Sequence, residues 1–206
     1  MKEPSERHQR GPGPWLEAAY DLLEQHGHSA VTIERLTAHT SKTRGSFYHH
    51  FGSMENFVER LMVDWRERNT ERIVRLAQAE SEPGARRSIV NREAVQLDAR
   101  LETALRIWAG VNAQVRAACE EVDWRRVSVL AHDLAELAIA LGCNLSESEA
   151  RTLAQIEYAA FVGAQLLSPE GNNTSLTGLG LVYDDMLKAY LQHLRAVSES
   201  PLRHYE

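Results

Sequence analysis

An all-α fold is predicted for this 206-residue chain on three observations. No sustained period-2 run of β-branched residues occurs, so strand signals are nearly absent. Apolar residues recur at helical spacing almost from end to end. Between these periodic stretches stand cap and turn formers such as Gly27, Thr32, Thr43, Ser53 and Ser146, placed where helices would stop or start.

A polar, Pro- and Gly-containing tail over residues 1–13 is expected to be flexible. Trp15, Leu16, Ala19, Leu22 and Leu23 then make one helical face that stops at Gly27, a suitable C-terminal cap. A short second helix begins at Thr32, with Ile33 and Leu36 inward and Glu34 and Arg35 toward water. The polar run Ala38 to Thr43 supplies a tight turn, and in the helix after it Phe47 and Phe51, four apart, share a face. Three short helices with a tight turn between the last two describe a helix-turn-helix over residues 14–52.

From Ser53 a long helix carries Phe57, Val58, Leu61, Met62 and Trp65 on one stripe. The polar run Arg66 to Arg72 interrupts that stripe before Ile73 and Leu76 resume it, and Pro83-Gly84 is expected to end the helix. Further helices are expected through Leu97 to Ala109 and from Val115 to Leu141. Ser146 can cap a helix apolar on two sides, Leu153, Ala154, Phe161 and Ala164 on one and Ile156, Ala160, Gly163 and Leu167 on the other. A loop is expected over Ser168 to Ser175, and the final helix carries Leu179, Val182, Met186, Leu187, Tyr190, Leu191 and Leu194. A helix apolar on two faces needs two packing partners. The last two helices are therefore expected to pair with their copies in a homodimer through an intermolecular four-helix bundle, beside the alternative that neighbouring helices of the same chain cover both faces. Residues 53–197 form the larger helical part, and 198–206 a C-terminal tail.

Composition narrows the function. With 43% hydrophobic and 25% charged residues the chain is an ordinary globular protein, and no apolar stretch is long enough to cross a bilayer. No secretory h-region precedes the first helix, so a cytoplasmic location is expected. Cys119 and Cys143 make neither a disulfide framework nor a metal pattern and are expected to be packed thiols. The net charge of −6 disfavours a nucleic-acid partner at first sight. Through residue 50, however, Lys2, Arg7, Arg10, Arg35, Lys42 and Arg44 balance six carboxylates, so the whole excess lies beyond it. Charges more than about 10 Å away are largely screened at 0.1 M salt and do not prevent local phosphate contacts.

The run from Thr32 to Phe51, centred on Arg44-Gly45-Ser46-Phe47-Tyr48-His49-His50-Phe51, resembles the DNA-binding signature of the tetracycline-repressor (TetR) family of bacterial transcriptional regulators. Leu105-Arg106-Ile107-Trp108-Ala109, Val115-Arg116-Ala117-Ala118 and Val122-Asp123-Trp124-Arg125-Arg126 resemble the sensor region of one branch of that family. The resemblance implies a dimeric regulator, a repressor released from a palindromic double-stranded operator by a small-molecule effector, with no catalytic residues, no metal and no cofactor. Each motif position has a physical reason. Thr43 can cap the third helix, whose exposed N–H groups favour a phosphate. Arg44 suits either a guanine edge or a phosphate. Gly45 permits close approach to the DNA backbone. Ser46, Tyr48, His49 and His50 carry groups for phosphate or base contact, the resemblance assigning Tyr48 to the backbone. Thr32 would hold a further phosphate. His49 and His50 point about 100° apart, which argues against a shared metal site; one is expected to face solvent while the other packs on the first helix.

Several positions depart from the family pattern. Ser41 stands where glycine is usual, Lys42 where a small apolar residue is, and Thr37 and Thr40 where alanine is common. Met54 replaces a lysine at the head of the fourth helix, and Lys42 is a candidate to restore that charge. The resemblance further implies an effector pocket among the helices after residue 53. Trp65, Trp108 and Trp124 lie on helices expected to surround it, with Asn69 in register with Leu61 and Trp65; the alternative that these tryptophans fill ordinary core stands beside it. His132 and Glu136 share a helix face and are expected to be an exposed pair rather than half a metal site. Two other classes compete. One is a DNA-binding organiser controlled by a protein partner; the other is a helical enzyme, against which stands the absence of a phosphate loop, nucleophile elbow or carboxylate pair.

Overall fold

A computed structural model describes residues 11–167 and 173–199. The described residues are helical, without strands, as predicted. In chain order the helices are α1 (Gly13–His26), α2 (Ile33–Thr40), α3 (Arg44–Phe51), α4 (Met54–Arg66), α5 (Arg72–Gln78), α6 (Pro83–Val95), α7 (Ala99–Ala109), α8 (Ala113–Ala140), α9 (Glu147–Leu167) and α10 (Asn173–Glu199). The expected tails lie largely, and the loop after Leu167 in part, outside the described residues.

The chain forms two compact units, one of Met1–Thr70 with Asp98–Val122, the other of Glu71–Leu97 with Asp123–Glu206. The first unit extends past residue 52 to include all of α4, all of α7 and the start of α8.

In the first unit the caps are those the sequence indicated. Gly27 closes α1 at φ 73°. The hydroxyl oxygens of Thr32, Thr43 and Ser53 accept from the N–H groups of Arg35, Ser46 and Asn56, which fixes the starts of α2, α3 and α4. Phe47 is the hub of the core: its ring lies 5.4 Å from Trp15, 5.1 Å from Phe51 and 5.2 Å from Phe57. Such pairs contribute about 0.5–1.5 kcal/mol each beyond burial itself, so α1, α3 and α4 are held by one aromatic cluster. A polar clasp adds to it, with the Tyr20 hydroxyl 2.9 Å from an Asp64 carboxylate oxygen and Arg68 bridging Asp64 at 2.7 Å and Glu17 at 2.6 Å. Burial, with the Asp64 charge next, pushes the Tyr20 phenol above its ordinary pKa, so it stays a donor.

The turn between α2 and α3 is shorter than the polar run suggested, because α2 continues through Thr40. Thr37 and Thr40 fit the helix by donating their hydroxyls to the carbonyls of Glu34 and Leu36, at 2.8 and 2.7 Å. Ser41 then adopts a left-handed conformation, φ 53°, and is alone among the described non-glycine residues in doing so. A side chain there costs about 1–2 kcal/mol relative to glycine. Ser41→Gly is therefore expected to stabilise the protein by up to about 1 kcal/mol after the extra unfolded-state freedom of glycine is deducted, seen as a higher thermal midpoint.

Pro83 corrects the sequence reading. The preceding helix ends at Gln78, and Pro83 begins α6 rather than ending anything. Its missing N–H falls where no intrahelical bond is needed, and the Glu82 carboxylate caps Gly84 and Ala85. The polar run after Arg66 is also more specific than an interruption, since Glu67–Glu71 is a π-helical turn whose Thr70 is buried. It shifts the register of the side chains, which is why the apolar stripe breaks there.

The second unit packs Val127, Leu130 and Leu134 of α8 against Ala154 and Tyr158 of α9 and Leu187 and Leu191 of α10. Ser146 caps α9, and the Glu149 carboxylate returns to the Ser146 N–H at 2.8 Å, a reciprocal capping box. Two adjacent arginines of α6 bind the other helices. Arg86 pairs with Asp133 at 3.0 Å and also with Glu136, both on α8. Arg87, 5% exposed, reaches Glu157 of α9 at 3.0 and 3.2 Å and Asp184 of α10 at 2.9 Å. Burial pushes the Glu157 carboxyl upward against the lowering effect of Arg87. Both cysteines are buried thiols with no disulfide between them, as expected.

Candidate nucleic-acid interface

The site is the outer face of α3 with the start of α2. Phe47 and Phe51 face inward, 0% and 7% exposed, and that anchorage turns the remaining side chains of an eight-residue helix outward. Thr43, Arg44, Gly45, Tyr48, His49 and His50 are exposed, while Ser46, Lys42 and Thr32 are half-buried. All nine predicted contact residues therefore lie in one short segment pair. Both histidines of the pair are exposed, so neither packs in the core; their rings sit 5.4 Å apart.

Two features refine the face. A Cβ built on Gly45 would meet only the Thr43 hydroxyl oxygen, at 3.8 Å, which is ordinary contact. Nothing inside the protein requires glycine there, although glycine in a helix costs about 1 kcal/mol relative to alanine. The second feature is Glu34, which sequence reasoning assigned only to solvent. Its Oε1 lies 3.2 Å from Nη1 of Arg44, with both side chains exposed. The two residues sit on different helices, so no periodicity signals their meeting. Nearby, His39 and Asp21 approach to 3.0 Å.

The residues predicted for an effector pocket are placed differently from one another. Trp65 and Trp108 are packed in the first unit's core, and the Trp108 ring stacks on His28 at 6.3 Å. Asn69 and Trp65 are brought together by Glu102, a 1% exposed carboxylate whose Oε1 accepts from Trp65 Nε1 at 2.9 Å and Asn69 Nδ2 at 3.1 Å. Glu102 was missed, yet it stands at three-residue spacing between Ala99 and Leu105 and Trp108, inside a buried stripe. Trp124 belongs to the second unit and is 59% exposed. That unit contains a cleft of about 490 Å³ whose lining includes Arg87, Leu137, Leu187, Lys188 and Leu191, and none of the four predicted residues. His132, Asp133 and Glu136 bring ligand-type atoms within 4.8 Å of one another, but Arg86 already engages both carboxylates.

Comparison with known proteins finds similarity in the segment that holds α2 and α3 and in the fold. The family model "Bacterial regulatory proteins, tetR family" matches residues 16–61. The HTH-type transcriptional repressor AcnR of Corynebacterium glutamicum is 44% identical over 41 residues, 20% of this chain, and the match spans 22% of the repressor's own length. Among solved structures, a TetR transcription regulator from Haloarcula marismortui superimposes with TM-score 0.72 at 16% identity, over 89% of this chain and 98% of its own. AibR, solved in complex with isovaleryl coenzyme A and operator DNA, gives 0.59 at 16% identity, over 84% and 94%. At these identities the solved structures establish the fold. No helix among the described residues is long and apolar enough to cross a membrane. The similarity to the tetR family of bacterial regulatory proteins thus lies in residues 16–61, which include α2 and α3.

Proposed function

We propose that this protein is a sequence-specific, dimeric DNA-binding regulator, acting as a repressor that a small-molecule effector releases from its operator. The observation that carries it is the outer face of α3, where exposed Arg44, Gly45, Tyr48, His49 and His50 are presented by buried Phe47 and Phe51. Gly45 adds independent support. A glycine that costs helix stability and fills no internal need is explained by an external surface that must come close, such as a sugar–phosphate backbone. Repression and effector control rest on similarity, since AcnR is described as a repressor and AibR was solved with both a coenzyme A ester and operator DNA. The dimer is supported by the exposed apolar residues of α9 and α10, among them Ile156, Val182 and Met186.

Gly45→Ala tests the interface directly. The variant is expected to fold at least as stably as the parent, because nothing blocks the added methyl, and to bind operator at least tenfold more weakly in a fluorescence-anisotropy titration. Unchanged operator affinity would remove Gly45 from the interface. The reading as a whole is tested by passing source-genome fragments over the purified protein and sequencing those retained. A palindrome whose half-sites lie about 34–36 Å apart, or a related spacing, is the expected result. Retention of no fragment above background would refute it.

A further inference from the structure

The reading head contains one carboxylate that a phosphate-binding surface would not be expected to tolerate. Glu34 lies in the first turn of α2, and its Oε1 is 3.2 Å from Nη1 of Arg44, the first residue of α3. The two side chains are 68% and 62% exposed, so neither is held by burial and each is able to face DNA. Arg44 by itself suits two partners, a phosphate oxygen or the O6 and N7 edge of guanine. The position of Glu34 distinguishes them.

We infer that Glu34 is a specificity-determining positioning residue, which makes Arg44 a reader of guanine rather than a phosphate clamp. The inference rests on the DNA-binding reading and deepens it. A guanidinium paired with a carboxylate forms a neutral couple. A phosphate gains little from a neutral couple and is repelled by the carboxylate, well inside the screening length of about 10 Å at 0.1 M salt. A guanine edge carries no net charge, so it loses nothing to that repulsion. The fork geometry points the same way. With Nη1 turned to Glu34, the Nε and Nη2 edge remains to donate a parallel pair of hydrogen bonds, the arrangement that guanine O6 and N7 accept. The carboxylate also restrains a long side chain that would otherwise sample many rotamers, which sharpens the choice of base.

The test measures binding of wild type, Arg44→Ala and Glu34→Gln to the selected operator, to all single-base variants of one half-site, and to unrelated duplex, across a series of salt concentrations. Both substitutions are at exposed positions, and thermal melts confirm folding. Arg44→Ala is expected to lose about tenfold or more at operator and to stop discriminating one G·C pair per half-site. Glu34→Gln is expected to bind unrelated duplex more tightly, with a steeper salt slope, and to discriminate that same pair less well. Two results would overturn the inference while leaving DNA binding intact. One is an Arg44→Ala protein whose affinity is lowered equally on every sequence, which is the mark of a phosphate contact. The other is a Glu34→Gln protein with the parent's slope and discrimination. A wild-type protein that binds no duplex at all would instead refute the DNA-binding reading itself.

Discussion

Arg87→Ala is expected to cost about 3–5 kcal/mol and to unfold the second unit well below the parent's thermal midpoint, although the residue is remote in sequence from every motif. The cost comes from the partner left behind. Glu157 is 14% exposed by side chain and takes two hydrogen bonds from the Arg87 guanidinium, so removing that group strands a carboxylate in a site whose burial already disfavours its charge. Asp184 contributes less, since at 35% exposure water can replace much of its partner. A second pair of variants separates the cost of stranding from the worth of the pair. Arg87→Met combined with Glu157→Leu replaces both charges by apolar groups of similar size and is expected to recover most of the stability, because a buried ion pair rarely exceeds a packed hydrophobic substitute. Chemical denaturation followed by helical circular dichroism measures both. If Arg87→Ala melts within a degree of the parent, the clasp is not holding α6, α9 and α10 together.

The same clasp shows where sequence reasoning loses its grip. The helices were legible because their signals are local: Thr32, Thr43 and Ser53 each cap the helix that starts beside them, Gly27 closes α1, and the Phe47 and Phe51 spacing names the inward face of α3. The outward side chains of α3 were legible for the same reason, since the spacing of Phe47 and Phe51 on a helix also fixes which of the other residues share the opposite surface. Arg86 and Arg87 offered no such signal. Their partners lie 47 to 97 residues away, and an arginine on a helix is by default a solvated residue. The Glu34 and Arg44 pair was hidden in the same way at shorter range, because two helices must first be packed before the contact exists. Pro83 misled because proline both breaks helices and begins them, and only the Glu82 cap behind it decides which. For Trp65 and Trp108 the sequence left a pocket and an ordinary core side by side, because both bury a large aromatic at helical spacing; the structure packs the two in the first unit's core.

Breaking the dimer is expected to have the largest effect on function. On α10, Leu187 and Leu191 are buried in the unit's own core, while Leu179, Val182, Met186 and Tyr190 form a second stripe that is 38–66% exposed. On α9, Ile156 is 53% exposed, and a Cβ built on Gly163 would meet nothing within 4 Å. An apolar stripe on each of two neighbouring helices, with small residues admitting close approach, is the kind of surface the proposed dimer would bury in a four-helix bundle. Ile156→Asp with Met186→Asp places two charges on each copy of that surface without touching the buried leucines. The variant is expected to run in sizing and light scattering as a 23.2 kDa monomer with unchanged helical content, where the parent is expected to run as a dimer. Its operator affinity is expected to fall by about 10²–10⁴-fold, the loss expected when two linked binding events become independent. Affinity for an isolated half-site should not change, because the reading head on α3 is intact. A monomeric variant that still binds full operator as tightly as the parent would show that one head suffices. A variant that stays dimeric would move the interface to another face of the protein.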